Sequence, residues 1–266
     1  MGMLGIELGG KGFVMNEQFT IGKVLGTGFR VWGKNFIPFF VITAMVYLPL
    51  IIPLAIIAQG HMDIAAVLRI ADISKFSVAF ILLLNIMAGA ALTYGVVMDL
   101  QGQRASFGAC IATGIRRFLP ALGVALLSAL CIGVGIIGVF VGAVIVYCML
   151  YVSTQASVIE KPGIIGALKR SRFLTAGYRV QIFGMLFVLG LINFAATKLV
   201  ENIALPDAAH MTQQQVFAKL PAYIYADLLR AVLVGSLMSV MAAVTYFYLR
   251  QEKEGTSAAE LGQVFA

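Results

Sequence analysis

The chain has 266 residues, 61% of them hydrophobic and 12% charged, with a formal net charge of +7. A mean hydropathy of +0.96 is too high for a soluble domain, in which charged residues make up about 25%. The length holds about six lipid crossings of roughly 20 residues each with their connections, so a separate soluble catalytic domain does not fit.

The basic residues are spread over several short segments rather than gathered on one folded surface. That pattern suits an anionic lipid leaflet and not nucleic acid. Cys110, Cys131 and Cys148 have no metal or redox spacing and read as small apolar packers.

At the N-terminus, MGMLGIELGGKGFV lacks a long apolar core and a small-residue cleavage site, so no signal peptide is expected. Ile6 stands where myristoylation at Gly2 wants Ser or Thr. Residues 1–15 read as a flexible extension, with Met15 as an alternative start. A single membrane domain is expected over 16–250 and a polar tail over 251–266.

Thr20 to Lys34 is amphipathic at 3.6 residues per turn: Ile21, Val24, Leu25, Gly28, Val31 and Trp32 share one face, and Lys23, Arg30 and Lys34 lie opposite. Trp32 suits an interfacial anchor. The first span is Phe36 to Ala58, kinked by its prolines. Gln59 to Lys75, with His61, Asp63, Arg69 and Asp72, reads as a loop on the opposite side. The second span is Phe76 to Met98, with Asn85 near its middle and Ala88, Gly89, Ala90 and Ala91 for close helix contact.

From Ala105 the amphipathic pattern returns, with Phe107, Cys110, Ile111, Gly114 and Phe118 on one face, Arg116 opposite and Arg117 at its edge. Phe118 to Ile159 then carries no charge and is long enough for two spans turning near Gly133, Gly135 and Gly138. Its last part, Tyr151 to Ser157, is rich in hydroxyl and amide groups and includes Gln155. Pro162 to Arg179 is the third basic amphipathic segment, with Ile164, Ala167, Leu168, Ser171, Leu174, Thr175 and Tyr178 on one stripe and Lys169, Arg170 and Arg172 elsewhere. The fifth span is Val180 to Thr197, with Asn193. Lys198 to Arg230 forms the longest opposite-side connection. Thr212 and Gln215 have capping-box spacing and open a short surface helix broken near Pro221. The sixth span is Ala231 to Leu249.

The amphipathic segments superimpose by type: Ile21, Val24, Leu25, Gly28; Phe107, Cys110, Ile111, Gly114; Ile164, Ala167, Leu168, Ser171. Each precedes a hydrophobic hairpin, and Leu261, Val264 and Phe265 begin a fourth copy. The fold expected is therefore all-α, with six transmembrane helices in three repeats of cytoplasmic amphipathic helix plus transmembrane hairpin, over about 20–98, 105–159 and 163–249. Of the 19 Lys and Arg, only Arg69, Lys75, Lys198, Lys219 and Arg230 lie in the opposite loops. The positive-inside rule then puts both termini in the cytoplasm.

No ionisable residue lies mid-span, which argues against an ion-coupled transporter. Asp99, Glu160 and Arg250 close spans on the basic side. Asn85 and Asn193 are the strongly polar mid-span residues, and helix-to-helix hydrogen bonding is their simplest role. His61 and His210 stand alone in separate loops, so no metal site and no cofactor are expected. Serines lack a His and acid partner on their own side, and the apolar glycine turn lacks the Lys-Ser or Lys-Thr of a phosphate loop. Glu160 with Lys169, Arg170 and Arg172 is the best polar constellation. It either holds anionic head groups or a partner, or is a salt-bridged face that sets helix depth.

Glu160, Ala167, Leu168, Arg170, Ser171, Leu174 and Gly177 form the pattern E-x6-A-L-x-R-S-x2-L-x2-G. The pattern resembles the signature of the polytopic membrane domain attached to some glycerophosphoryl diester phosphodiesterases and shared by stand-alone bacterial membrane proteins. The opening FTIGKVLGTGFRVWGKNF and the closing Tyr246, Leu249, Arg250, Glu254 and Gly255 are similar to the ends of that domain. The resemblance covers nearly the whole chain and implies a membrane module. The phosphodiesterase activity of that family resides in a separate soluble barrel, so the resemblance carries no catalytic residue over.

The expectation is a non-enzymatic integral membrane protein that organises or bends membrane, or gathers lipids or protein partners. It would act through Glu160, Lys169, Arg170, Arg172, Lys23, Arg30, Trp32, Arg116 and Arg117, as a homo-oligomer packed through Gly138, Gly142, Gly235 and Ser239. The alternative is a transporter or channel for a small neutral or lipid-like solute, with Asn85, Asn193 and Gln155 facing an inner path.

Overall fold

A computed structural model describes residues 19–59, 64–103, 105–138, 140–206 and 211–255. Residues 1–15, His61, Asp63, His210, and Leu261, Val264 and Phe265 of the tail lie outside it. The described residues form nine helices and no strand: α1 (Ile21–Lys34), α2 (Phe36–Gln59), α3 (Ile64–Leu100), α4 (Phe107–Gly138), α5 (Phe140–Leu150), α6 (Ser153–Ile159), α7 (Gly163–Thr175), α8 (Arg179–Ala204) and α9 (Gln213–Glu254).

Six stretches are long and apolar enough to cross a membrane, starting at Phe36, Phe80, Phe107, Val141, Arg179 and Gln213. This is the architecture of a multi-pass integral membrane protein, because in lipid a helix satisfies its own backbone polar groups. The long helix α9 packs against α1, α2, α3 and α8, while α4 packs against α3, α5, α6 and α7. The main core gathers on α9, where Met241, Val244, Tyr246 and Leu249 are fully buried, and takes in Val24, Leu92, Leu174 and Ile182 from the helices around it.

The structure departs from the sequence reading in five places, four of them helix boundaries. The Gln59 to Lys75 loop is largely helical, because α3 already starts at Ile64. The amphipathic segment from Ala105 is no separate helix but the first turns of α4, whose helical period runs unbroken into the apolar run. Of the glycines expected to turn the hairpin, Gly133 and Gly135 lie inside α4 and Gly138 ends it. The capping box forms as expected, Thr212 N–H donating to Gln215 Oε1 at 2.9 Å, yet no short helix follows. Helix α9 continues through Pro221 to Glu254, since a proline removes one helical hydrogen bond and the long run around it makes the rest.

The fourth span is also broken. Helix α5 stops at Leu150 and α6 resumes at Ser153. Serine and threonine hydroxyls supply what the break takes away: Ser153 Oγ donates to the Leu150 carbonyl at 2.7 Å. From α7, Ser171 and Thr175 both donate to the Met149 carbonyl, at 2.8 and 3.1 Å. Re-satisfaction by neighbouring side chains is what lets an interrupted helix remain in lipid.

Candidate functional site

Helix α7 places its basic residues by periodicity alone. Ala167, Ser171, Leu174 and Thr175 are buried, so the adjacent Lys169 and Arg172 point away and are exposed, while Arg170 sits at the boundary and turns inward. Arg170 Nε pairs with Glu160 Oε2 at 2.7 Å, and its Nη2 pairs with Glu254. Arg250, one turn before Glu254 on α9, pairs with it at 3.0 Å and stands 3.8 Å from Glu160. The fully buried Tyr246 donates its hydroxyl to Glu160 Oε1 at 2.5 Å. Burial works against the Arg170 charge, but the two carboxylates outweigh it and hold its pKa above the usual arginine value.

The expected Glu160 constellation is therefore split. Glu160 and Arg170 join α9 in a structural ion-pair cluster, and Lys169 and Arg172 remain on the surface. Residues of the Glu160–Gly177 motif and of the closing segment meet here: Glu160 and Arg170 from the first, Tyr246, Arg250 and Glu254 from the second. Gly177, with φ +90°, turns the chain from α7 into α8 through a left-handed conformation that suits glycine.

On α1, Lys23 stands over the Tyr248 ring at 4.8 Å and Arg30 is exposed. Trp32 Nε1 donates to Ser236 Oγ of α9 at 2.9 Å. Asp99 pairs with Lys34 at 2.7 Å, apart from the Glu160 cluster. Gly142, Gly235 and Ser239, three of the small residues expected between copies, meet partners within the chain. A Cβ on Gly142 would stand 3.0 Å from the Gly135 carbonyl oxygen, one on Gly235 3.6 Å from Asn85 Oδ1, and one on Gly89 3.8 Å from Ser239 Oγ.

The three intramembrane polar residues line two adjoining cavities. One, of about 480 Å³, is bordered by Leu82, Asn85, Leu122, Leu126, Gln155 and Met238. The other, of about 420 Å³, is bordered by Tyr47, Asn85, Tyr147, Asn193, Arg230 and Met238. They share Asn85, Gly235 and Met238. Asn193 Oδ1 accepts from Arg230 Nη1 at 3.0 Å, and Arg230 also pairs with Asp227 at 2.7 Å. Asn85 spends its amide on the Ile81 carbonyl at 2.9 Å, one turn back in its own helix. Gln155 differs: it is 6% exposed, and among the described residues its Oε1 has no hydrogen-bond partner.

Arg116 and Arg117 line a third cavity with Tyr94, Thr113, Val158 and Lys161. Sequence reasoning passed over Lys161, Arg230 and Thr154. The signal for Lys161 was the Lys161-Pro162-Gly163 turn, which holds Lys161 at φ +58°, uncommon for a residue with a side chain.

Among the described residues no His, Cys, Asp and Glu side chains gather to hold a metal. All three cysteines are free, Cys110 and Cys148 buried and Cys131 partly so. Helices able to span a membrane, with polar side chains lining cavities between them, define a multi-pass integral membrane protein. Comparisons with family models, with curated proteins and with solved structures find no match to this chain.

Proposed function

We propose that this is a non-enzymatic protein of a bacterial inner membrane, with both termini cytoplasmic, that binds and organises membrane lipid in the groove between α3, α4, α6 and α9. The observation that carries the reading is Gln155: a buried acceptor, unpartnered among the described residues, at the edge of a mostly apolar cavity of about 480 Å³. An unsatisfied buried polar atom costs about 1–3 kcal/mol, and an amphiphile with a hydrogen-bond donor would remove that cost. Leu82 and Leu126 at the rim are each 59% exposed, so the groove opens sideways toward lipid.

The same proposal keeps the three repeats and the resemblance to the membrane domain of the glycerophosphoryl diester phosphodiesterase type. Supporting the repeats, the residues at relative position 3 (Val24, Cys110, Ala167) and at position 7 (Gly28, Gly114, Ser171) are all buried, whereas position 4 (Leu25, Ile111, Leu168) is half-buried in each.

A phospholipid with a photoreactive acyl chain, incorporated into proteoliposomes, tests the groove. Labelling should concentrate on 82–89 and 122–129 and fall with Leu126→Trp, which fills the cavity. Labelling no heavier there than on the exposed Phe187 and Leu191 of α8 would end the reading.

A second reading, movement of a lipid-like solute across the bundle, is favoured by the shared wall of the two cavities at Asn85, Gly235 and Met238. Dithionite quenching of a fluorescent phospholipid in proteoliposomes tests it. Transfer that is protein-dependent and changed by Asn85→Leu or Asn193→Leu supports it, and an unchanged rate in both variants counts against it.

A further inference from the structure

Among the described residues, five cations are matched in ion pairs. Lys34 pairs with Asp99, Arg170 and Arg250 with Glu160 and Glu254, Lys198 with Glu201 and Arg230 with Asp227. Arg116, Arg117 and Lys161 are not: among the described residues they take part in no ion pair. They nevertheless share one cavity of about 280 Å³, whose charged lining is entirely basic and to which Tyr94 and Thr113 add hydroxyls. Three like charges gathered around a hollow repel one another unless an anion enters.

The position of Lys161 is itself costly. It has φ +58°, between Glu160, fixed by Arg170 and Tyr246, and Pro162. Strain of that kind persists where surrounding structure imposes it and often marks a binding site.

The basic cavity and the apolar groove lie along the same three helices. On α4, Thr113 and Arg117 line the first and Ala125 and Ala129 the second, all on one stripe of four-residue steps. On α6, Val158 lines the first and Thr154 the second, one turn apart; on α3, Tyr94 lines the first and Gly89 the second. A cationic hollow thus lies on the same three helices as an apolar groove, about one or two helical turns away.

We infer that the groove binds an anionic phospholipid, its phosphate held by Arg116, Arg117 and Lys161 and its acyl chains lying against Leu82, Leu122, Leu126 and Met238. The inference rests on the proposed lipid groove and adds the head-group chemistry. A membrane lipid is favoured over free phosphate because the basic hollow and the apolar groove follow one another along the same three helices, within the length of one phospholipid. Arginine supplies forked donors to phosphate oxygens, and Lys161 adds a mobile third charge.

Native mass spectrometry of the full chain in an uncharged detergent tests this with dioleoylphosphatidylglycerol, dioleoylphosphatidylcholine and inorganic phosphate as probes. Saturable binding of phosphatidylglycerol, at least tenfold tighter than phosphatidylcholine, is expected. The triple variant Arg116→Gln, Arg117→Gln, Lys161→Gln should abolish that preference, and Lys169→Gln with Arg172→Gln should leave it intact. Lys161→Gln alone, on an exposed turn, should weaken phosphatidylglycerol binding severalfold with an unchanged melting temperature, which keeps the test valid if the triple variant folds poorly. An unchanged preference in both the single and the triple variant overturns the head-group assignment. If Leu126→Trp still weakens both lipids in that case, the groove itself stands. Inorganic phosphate binding as tightly as the lipid overturns the inference in favour of a soluble anion site.

Discussion

Ser171 of α7 donates its hydroxyl to the main-chain oxygen of Met149 at 2.8 Å, where the fourth span is interrupted. An amphipathic segment that reads as a surface float is thereby part of the wall of the bundle, and its small hydroxyl residues stand in for a missing turn of another helix.

Removing both hydroxyls should expose that dependence. Thr175 also donates to the Met149 carbonyl, at 3.1 Å, so Ser171→Ala alone leaves one donor and a modest effect. The double variant Ser171→Ala, Thr175→Val leaves a buried acceptor without its donors from α7 and should lose about 1–3 kcal/mol, measured by unfolding in mixed detergent and SDS.

Neighbouring arginines of α7 should separate into two kinds. Arg170→Gln breaks charge-assisted contacts to Glu160 and Glu254, which are less than one third exposed, and should cost about 1.5–3 kcal/mol. Arg172→Gln and Lys169→Gln, both exposed, should shift the melting temperature little.

The buried glycines Gly28 and Gly114 should differ in tolerance. A Cβ on Gly114 would meet Ala91 Cβ at 2.9 Å and the Met87 carbonyl oxygen at 3.2 Å, neither of which can move without backbone shifts. A Cβ on Gly28 meets the Met241 sulfur, the far end of a flexible side chain that can repack. Gly114→Ala should therefore lose about 1–3 kcal/mol as an overpacking change, and Gly28→Ala clearly less, by thermal melts in detergent.

Arg117 and Arg172 should face one compartment. In a background lacking Cys110, Cys131 and Cys148, Arg117→Cys and Arg172→Cys should react with a membrane-impermeant maleimide only from the cytoplasmic side, and Lys198→Cys only from the other. Opposite labelling of the first two would break the orientation on which the lipid site depends.

Much of this was legible along the chain, because helix period and apolar run length are local properties. The stripe of α1, the six apolar stretches and the capping box of Thr212 and Gln215 follow from residue spacing alone. The interruption after Leu150 was not, since the apolar run from Phe118 to Ile159 carries no breaker at Tyr151 or Val152, and its cost is offset by Ser171 and Thr175 more than 20 residues away. The continuity of α3 and α9 was missed for the opposite reason: polar residues and Pro221 mark loops on average, but not where helix on both sides carries them through.

By itself, the sequence determined that this chain belongs in lipid, how many of its helices are long enough to cross, and which faces of its amphipathic segments seek cover. Only the tertiary structure decided that Arg170 turns inward while Lys169 and Arg172 stay out, that Asn85 and Gln155 border one cavity, and that Lys161 joins Arg116 and Arg117. Those choices depend on meetings between distant positions, such as Tyr246 with Glu160 at a separation of 86 residues. A charge has no assigned partner until packing supplies one.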